Sequence, residues 1–504
     1  MMATHERLWG GRFATSPDEA TLRFMAGRDV TPAPAADSHL IDDDLWASAA
    51  HVVMLARQGV IPEADARALL DGIARIGHEH AEGVFYLDPA REDVHTNIEM
   101  RLTEIAGTGP GGRIHTGRSR NDQVVTAMRL YLRAQALSFA GQALDLARVL
   151  VGIADDHLET VMPGFTHHQP ATPTTLGHIL ASYAEATVRD AHRFLNWLAL
   201  HNDSPLGGAA GYGATIPLDR ALTASYLAFD HAHLTSIDPL TTRGEPETDL
   251  AMALAAFLKH LAGIAQTIIL LGSPGYGVVQ LSPSYGSGSS IMPQKGNPDT
   301  MEAIKARAAV AAGIVSGLLG IGAAAFVGYN RDTQWSKYLI IDLVAEAVDA
   351  PVVLAGALSA MTVHAERGAA LADGLFVGST ALMENLVLTW ALPLRQAKHV
   401  VETAVRLSEE DGAAVVTGPA LRAALLQHGV VLDDAPSDEH VAAVQRPLSI
   451  IMAANSVGGP APSAVSAALA VLDERIDGLA ERRTVYLKRI TAARARLRRD
   501  GDAL

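Results

Sequence analysis

The stretch at 285–298, Tyr-Gly-Ser-Gly-Ser-Ser-Ile-Met-Pro-Gln-Lys-Gly-Asn-Pro, gathers the residue types of a proton-abstracting site. Paired hydroxyls at Ser289 and Ser290 lie close in sequence to the ammonium of Lys295. A serine serves as a base only when positive charge and backbone donors stabilise its ionised form, and this loop can supply both. Gly286 and Gly288 free the backbone, while Pro293 and Pro298 punctuate the segment ahead of a helix. Taken alone, a flexible Gly/Ser linker is the competing reading.

Three further polar clusters fall at the ends of long helical patterns. His115-Thr-Gly-Arg-Ser-Arg-Asn-Asp122 combines arginine forks with a helix start, which suits a carboxylate; the plainer reading is an N-cap at Asn121 or Asp122 beside a solvated Arg118–Arg120 pair. Thr166-His-His-Gln-Pro170 sets His167 and His168 among hydroxyl and amide groups, where a histidine is either a titrating acid or base or a structural residue. Tyr329-Asn-Arg-Asp-Thr-Gln-Trp-Ser-Lys337 spaces Gln334 and Lys337 three apart on one helix face; capping by Asp332 is the modest alternative. No Gly-x-Gly-x-x-Gly follows a strand, no Walker loop appears, and adjacent histidines are poorly spaced as metal ligands, so neither a cofactor nor a metal is expected. Hydroxyl, imidazole, lysine and arginine together suit proton abstraction beside a carboxylate, with the developing charge held by fixed donors.

Long helices are needed to carry these clusters. Apolar periodicity predicts helices over 39–58, 62–80, 122–161, 174–200, 247–271, 298–326 and 332–363, the last kinked at Pro351. The sequence divides into 1–117, a mix of short helices and turns; 118–367, the long helices; and 368–504, an Ala-rich, Pro-interrupted helical segment ending in a basic helix at 482–499. An apolar content of 49% with 5% aromatic and 19% charged residues favours close-packed helices over sheets. A net charge of -15 argues against a nucleic-acid or anionic-membrane partner, so an anionic substrate needs a local basic site. The absence of cysteine excludes disulfides and thiolate chemistry and fits a cytoplasmic location. Residues 1–7 lack the apolar run of a signal peptide. The uncharged run 308–330 imitates a membrane span, but its glycines and alanines fit the centre of an oligomeric bundle better.

With these residues assembled, the chain resembles the fumarase/aspartase superfamily, and within it the argininosuccinate lyase family. The resemblance runs through Leu8-Trp-Gly-Gly-Arg-Phe13, Glu92-Asp-Val-His95, the 115–123 and 162–171 stretches, Ser204-Pro-Leu-Gly207, Gly288-Ser-Ser-Ile-Met-Pro-Gln-Lys295 and Tyr329-Asn-Arg-Asp332. It implies a mainly α, three-domain protomer whose long helices form a homotetrameric bundle, with active sites shared between subunits. The implied reaction eliminates L-arginine from argininosuccinate to give fumarate. The implied catalytic residues are Ser289 as base, Lys295 stabilising the intermediate, and His167 in acid–base work. Ser119, Arg120, Asn121, Thr166 and Asn297 fall on substrate-binding positions, as do Tyr329, Gln334 and Lys337 at the arginine-bearing end, and Arg243 matches a further binding arginine. Departures cluster near that end: Gly296 where lysine is usual, Trp335-Ser336 where two acids are usual, Arg243-Gly244 in place of Arg-Asp, and an altered segment at 26–34. They motivate a second reading, a carbon–nitrogen lyase acting on another N-substituted aspartate or succinate. A non-catalytic structural homologue is a third, opposed by the presence of Ser289, His167 and Lys295.

Overall fold

The helix expected at 122–161 runs Arg120–Asp156 in the computed structural model, which describes residues 19–29 and 32–504. The motif expected at 8–13, and residues 30 and 31 of the altered segment, lie outside the described residues. Ser119 sets the helix start. Its hydroxyl accepts from Asn121 N at 3.3 Å, while Asp122 Oδ1 accepts from Ser119 N at 2.9 Å, a reciprocal box that satisfies donors a helix start leaves free.

Leu176–His201, Glu245–Leu271 and Asp299–Gly320 complete the set of long central helices. Three aromatic rings join the first three of the four. Phe139 stacks on Phe194 at 5.7 Å, and Phe194 meets Phe257 edge-on at 5.7 Å, all fully buried. Such pairs add about 0.5–1.5 kcal/mol beyond the area they bury. Ile41–Arg57, Glu63–Ala81 and Val94–Ala106 pack beside this set through Leu45, Leu55, Leu69, Ile76 and Leu102.

Several expected boundaries move, each for a local reason. After Asp156 the chain doubles back as an antiparallel hairpin, Val161–Thr166 with Gln169–Thr175, where only a helix break was expected. Pro163, Pro170 and Pro173 cannot continue a helix, and Pro163 pairs with Pro173 across the ladder. The helix expected at 298–326 stops at Gly320, followed by Gly322 at φ +74°. Only residues 308–320 of the uncharged run are therefore helical, about 20 Å at 1.5 Å per residue, short of a ~30 Å hydrocarbon core. Among the described residues three helices, Arg120–Asp156, Glu245–Leu271 and Asp299–Gly320, are by length and composition alone long and apolar enough to cross a membrane, the third only when its charged first turns are counted with the uncharged run. Pro351 makes a break rather than a kink, sitting in the first turn of Ala350–Ser359 after Trp335–Ala347 has ended.

Buried apolar side chains form two clusters among the described residues. One core takes side chains from Phe24 to Leu358, together with Val465, Leu469, Leu472, Ile476 and Leu497 of the 41-residue helix Pro462–Asp502. A second, smaller cluster is built by residues from Leu382 to Val441.

Candidate active site

The box at Ser119 does more than start a helix. Asp122 is fully buried, and its other oxygen accepts from Gly207 N at 3.0 Å and Ala209 N at 2.8 Å. The Ser204–Gly207 turn is thereby fastened to the helix start. Burial pushes the Asp122 carboxyl up to about 6, against the pull of those backbone donors and Arg118. Arg118 is not half of a solvated pair: it is buried and donates to Ser48 Oγ at 3.0 Å. Arg120 and Asn121 project instead into a cavity of about 510 Å³.

Arg243, Tyr329, Gln334 and Lys337 line the same cavity. Lys337 is 3% exposed, and its ammonium bonds Asp37 Oδ1. Burial alone would raise Asp37, but the charge and hydrogen bond of Lys337, helped by Val94 N at 3.1 Å, outweigh it and hold the carboxyl below its usual range. Tyr329 Oη donates to Gln334 Oε1 at 3.4 Å, and Gln334 Nε2 donates to Tyr338 Oη at 3.3 Å, so the amide is oriented at both ends. The Arg243 guanidinium lies 5.6 Å from the Tyr329 ring centroid. It is followed by Gly244 at φ +102°, a left-handed residue that begins Glu245–Leu271, where Glu247 Oε2 accepts its N–H at 3.1 Å. In the same lining Arg120 Nη1 lies 3.2 Å from Glu92 Oε2 and 3.8 Å from Asp93 Oδ2, and Arg331 lies 3.7 Å from Glu92.

The loop carrying Ser289 stands apart from this cavity. Ser287–Gly288 pairs antiparallel with Gly296–Asn297, which makes residues 289–295 a closed loop rather than an open linker. Gly286 is required there: a Cβ would come within 2.7 Å of Asn297 O. Ser289 Oγ accepts from Met292 N at 3.0 Å and Ile291 N at 3.3 Å. Two backbone dipoles thus point at the hydroxyl, an arrangement that favours its anionic form. Lys295 is exposed, as are Ile291 and Met292 at the tip. Asn297 Nδ2 donates to Ser287 Oγ at 3.4 Å and, with Gly286 and Gly296, lines a second cavity of about 550 Å³.

A third location holds Thr166 and His167. Thr166 pairs with Gln169, so His167 and His168 form a two-residue turn, with φ of 53° and 60°. Such turns usually take Asn or Gly, and holding histidines there costs roughly 1 kcal/mol or more per residue. Both histidines are exposed and border a cavity of about 350 Å³ with Phe165, Gln266, Thr267 and Tyr276. Phe165 is fixed edge-on against Tyr276 at 5.2 Å.

A single chain therefore joins Arg120, Asn121, Arg243, Tyr329, Gln334 and Lys337 around one cavity, with Ser119 capping the helix that carries the first two. It does not bring to that cavity Ser289, Lys295 and Asn297, or Thr166 and His167. Sequence reasoning missed Asp37, which carries no local signal and meets Lys337 only in the folded chain. His95 was legible as part of a motif, but not its buried bond from Nδ1 to Asp44 Oδ1 at 2.8 Å. Gln123 Nε2 reaches the same carboxylate oxygen at 2.8 Å, which ties the 94–106 and 120–156 helices to Ile41–Arg57.

A family model described as lyase matches residues 28–313. The chain is 38% identical over 464 residues to the argininosuccinate lyase of Thermus thermophilus, covering 91% of this chain and 96% of that one. It is 36% identical over 475 residues to that of Alkalilimnicola ehrlichii, covering 94% and 98%. Among solved structures, EDDS lyase in complex with formate superposes with a TM-score of 0.86 at 26% identity, covering 97% of this chain and 96% of that one. The class II fumarase of Schistosoma mansoni shares the fold, with a TM-score of 0.68 at 15% identity over 87% of this chain and 95% of that one. From the cap at Ser119 to the closed loop at Ser289, with a mainly helical fold, the chain belongs to the argininosuccinate lyase family of the fumarase/aspartase superfamily.

Proposed function

We propose that the protein is a carbon–nitrogen lyase that cleaves argininosuccinate into L-arginine and fumarate. The observation that carries this reading is the near-full-length likeness to two argininosuccinate lyases. In the proposed step Ser289, ionised under its two backbone donors, removes the proton from the carbon beside a succinyl carboxylate. The freed electron pair becomes the carbon–carbon double bond, the carbon–nitrogen bond breaks, and an acid returns a proton to the leaving nitrogen. Lys295 balances the charge that builds on the carboxylate, and His167 does the acid–base work at the nitrogen. Ser119, Arg120, Asn121, Thr166 and Asn297 hold the succinyl part, while Arg243, Tyr329, Gln334 and Lys337 receive the amine.

The separation of the three residue groups on one protomer supports an active site shared between subunits of a homotetramer. So do the exposed apolar residues beside them: Ile291 and Met292 on the loop, and Val310 and Leu319 on the helix Asp299–Gly320. In this reading the chain divides functionally at 117 and 367 and works in the cytoplasm on a small anionic substrate, with no nucleic acid, membrane, metal or cofactor. Trp335, 54% exposed, and buried Ser336 favour a second reading in which the released amine differs from arginine. Incubating the purified protein with argininosuccinate and following fumarate absorbance tests the first. Turnover that disappears in Ser289→Ala supports it; a folded protein that releases no fumarate rejects it and leaves the second.

A further inference from the structure

The end of Leu176–His201 is pinned to the start of Glu245–Leu271. Trp197 Nε1 donates to Pro246 O at 2.8 Å, and the Trp197 ring lies 5.2 Å from that of His201, tilted against it. Arg129 Nη1 donates to His201 O at 2.7 Å. These contacts hold His201 in the interior, 6% exposed, with Nε2 2.7 Å from Asp249 Oδ2. Glu245 precedes Asp249 by four residues, so the two carboxylates share one face of their helix. One nitrogen of His201 and one oxygen each of Glu245 and Asp249 all lie within 4.8 Å of one another.

Two carboxylates at this spacing repel each other unless a cation lies between them. No protein cation fills that place. Among the described residues no lysine or arginine is ion-paired with either acid, and Asp249 has only the histidine. Arg129 is buried close by, but Glu247, Asp203 and Asp238 answer its charge more strongly than Glu245 does. The helix ends suit a bound cation: the carbonyl end of Leu176–His201 attracts it, and the N–H end of Glu245–Leu271 keeps the two acids ionised. Zinc takes imidazole nitrogen and carboxylate oxygen at about 2.0–2.2 Å, which sets its ligand atoms about 3.3–3.5 Å apart in a tetrahedral shell. The three donors are within a side-chain rotation of that arrangement, with Nε2 and Oδ2 parting slightly as the ion replaces the hydrogen they share.

We propose that His201, Glu245 and Asp249 bind one divalent transition-metal ion, zinc by the chemistry of the donors, with water completing the shell. The ion is a clamp between two helix ends and takes no part in the elimination, which uses other residues. Its ligands come from different helices, so no local spacing in the sequence marks the site.

Metal titration of the full chain tests this. The protein is stripped with EDTA, desalted, and titrated with Co2+ and then Zn2+. The wild type is expected to take up one Co2+ per chain with a visible absorption band and to surrender it to Zn2+. Its Tm should rise by several degrees once Zn2+ is in about 100-fold excess over its Kd, and amide exchange should slow at 245–249. Glu245→Gln, at an exposed position that leaves the fold intact, should weaken binding by about 100-fold or more, as should Asp249→Asn, since even a residue behind a ligand is worth about 10–100-fold. The variant carrying both changes measures what the other histidines bind. Wild-type affinity in either single variant overturns the proposal, because the ion then sits elsewhere. Uptake by the wild type that does not exceed that of the double variant overturns it as well.

Discussion

Lys337 is locked in the interior by Asp37, three hundred positions earlier in the chain. The lysine side chain is 4% exposed and the aspartate 15%, so neither charge can turn to water if the other is lost. Removing one partner of such a pair strands a buried charge, at about 3–5 kcal/mol. Asp37→Asn should therefore lower unfolding free energy in urea by about 3 kcal/mol. The double variant Asp37→Leu with Lys337→Met should recover most of that loss without recovering turnover. A single variant as stable as the wild type would show the pair to be dispensable.

Asp122 accepts from three backbone N–H groups, two on one oxygen and one on the other. An asparagine can accept on one side only and presents donors to donors on the other. Asp122→Asn should cost about 1–3 kcal/mol for each N–H left unpaired and loosen the Ser204–Gly207 turn from Ser119, Arg120 and Asn121. The expected result is a lower Tm together with a raised KM. A lower Tm with KM unchanged would separate the turn from the proposed binding residues.

His51 is fully buried, bonds Thr116 O through Nε2 at 2.8 Å, and is pulled by burial and by the Arg118 charge down to about 3. A depressed histidine leaves the unfolded chain binding more protons, so its stabilisation is complete above about pH 6.5 and is lost as pH falls toward 3. The slope is about 1.4 kcal/mol per pH unit. Asp122, raised to about 6, works in the opposite sense between its ordinary value and 6, so the useful quantity is a difference between proteins. Urea unfolding at pH 7 and pH 5 should show His51→Gln losing roughly 2 kcal/mol less than the wild type over that interval. Equal losses would remove His51 from the acid response.

The long helices were legible because each repeats apolar residues at the helical period, and the polar groups at 119–121 and 329–337 because they interrupt that pattern at helix ends. Their meeting in one cavity was not, since a cavity is a product of packing and Asp37 stands in a segment with no motif of its own. The hairpin at 161–175 was hidden by its prolines, which signal the end of a helix without signalling a paired ladder. The last helix is longer than expected: Pro462 occupies its first turn, where the missing N–H costs nothing, and 41 residues are helical where only 482–499 was expected. Ser289 was legible as a candidate from its loop, but the donors at Ile291 and Met292 come from a turn geometry that composition does not specify.

The helix Pro462–Asp502 returns to the main core after the chain has built the separate cluster between Leu382 and Val441. Translation therefore delivers the parts out of structural order. The central helices emerge first with a face still open, the small cluster can close while they wait, and the principal core is sealed only when the last described helix leaves the ribosome. Until Leu469, Leu472 and Ile476 arrive, the face they cover stays open, and an open apolar face is what makes a partly made chain prone to aggregate.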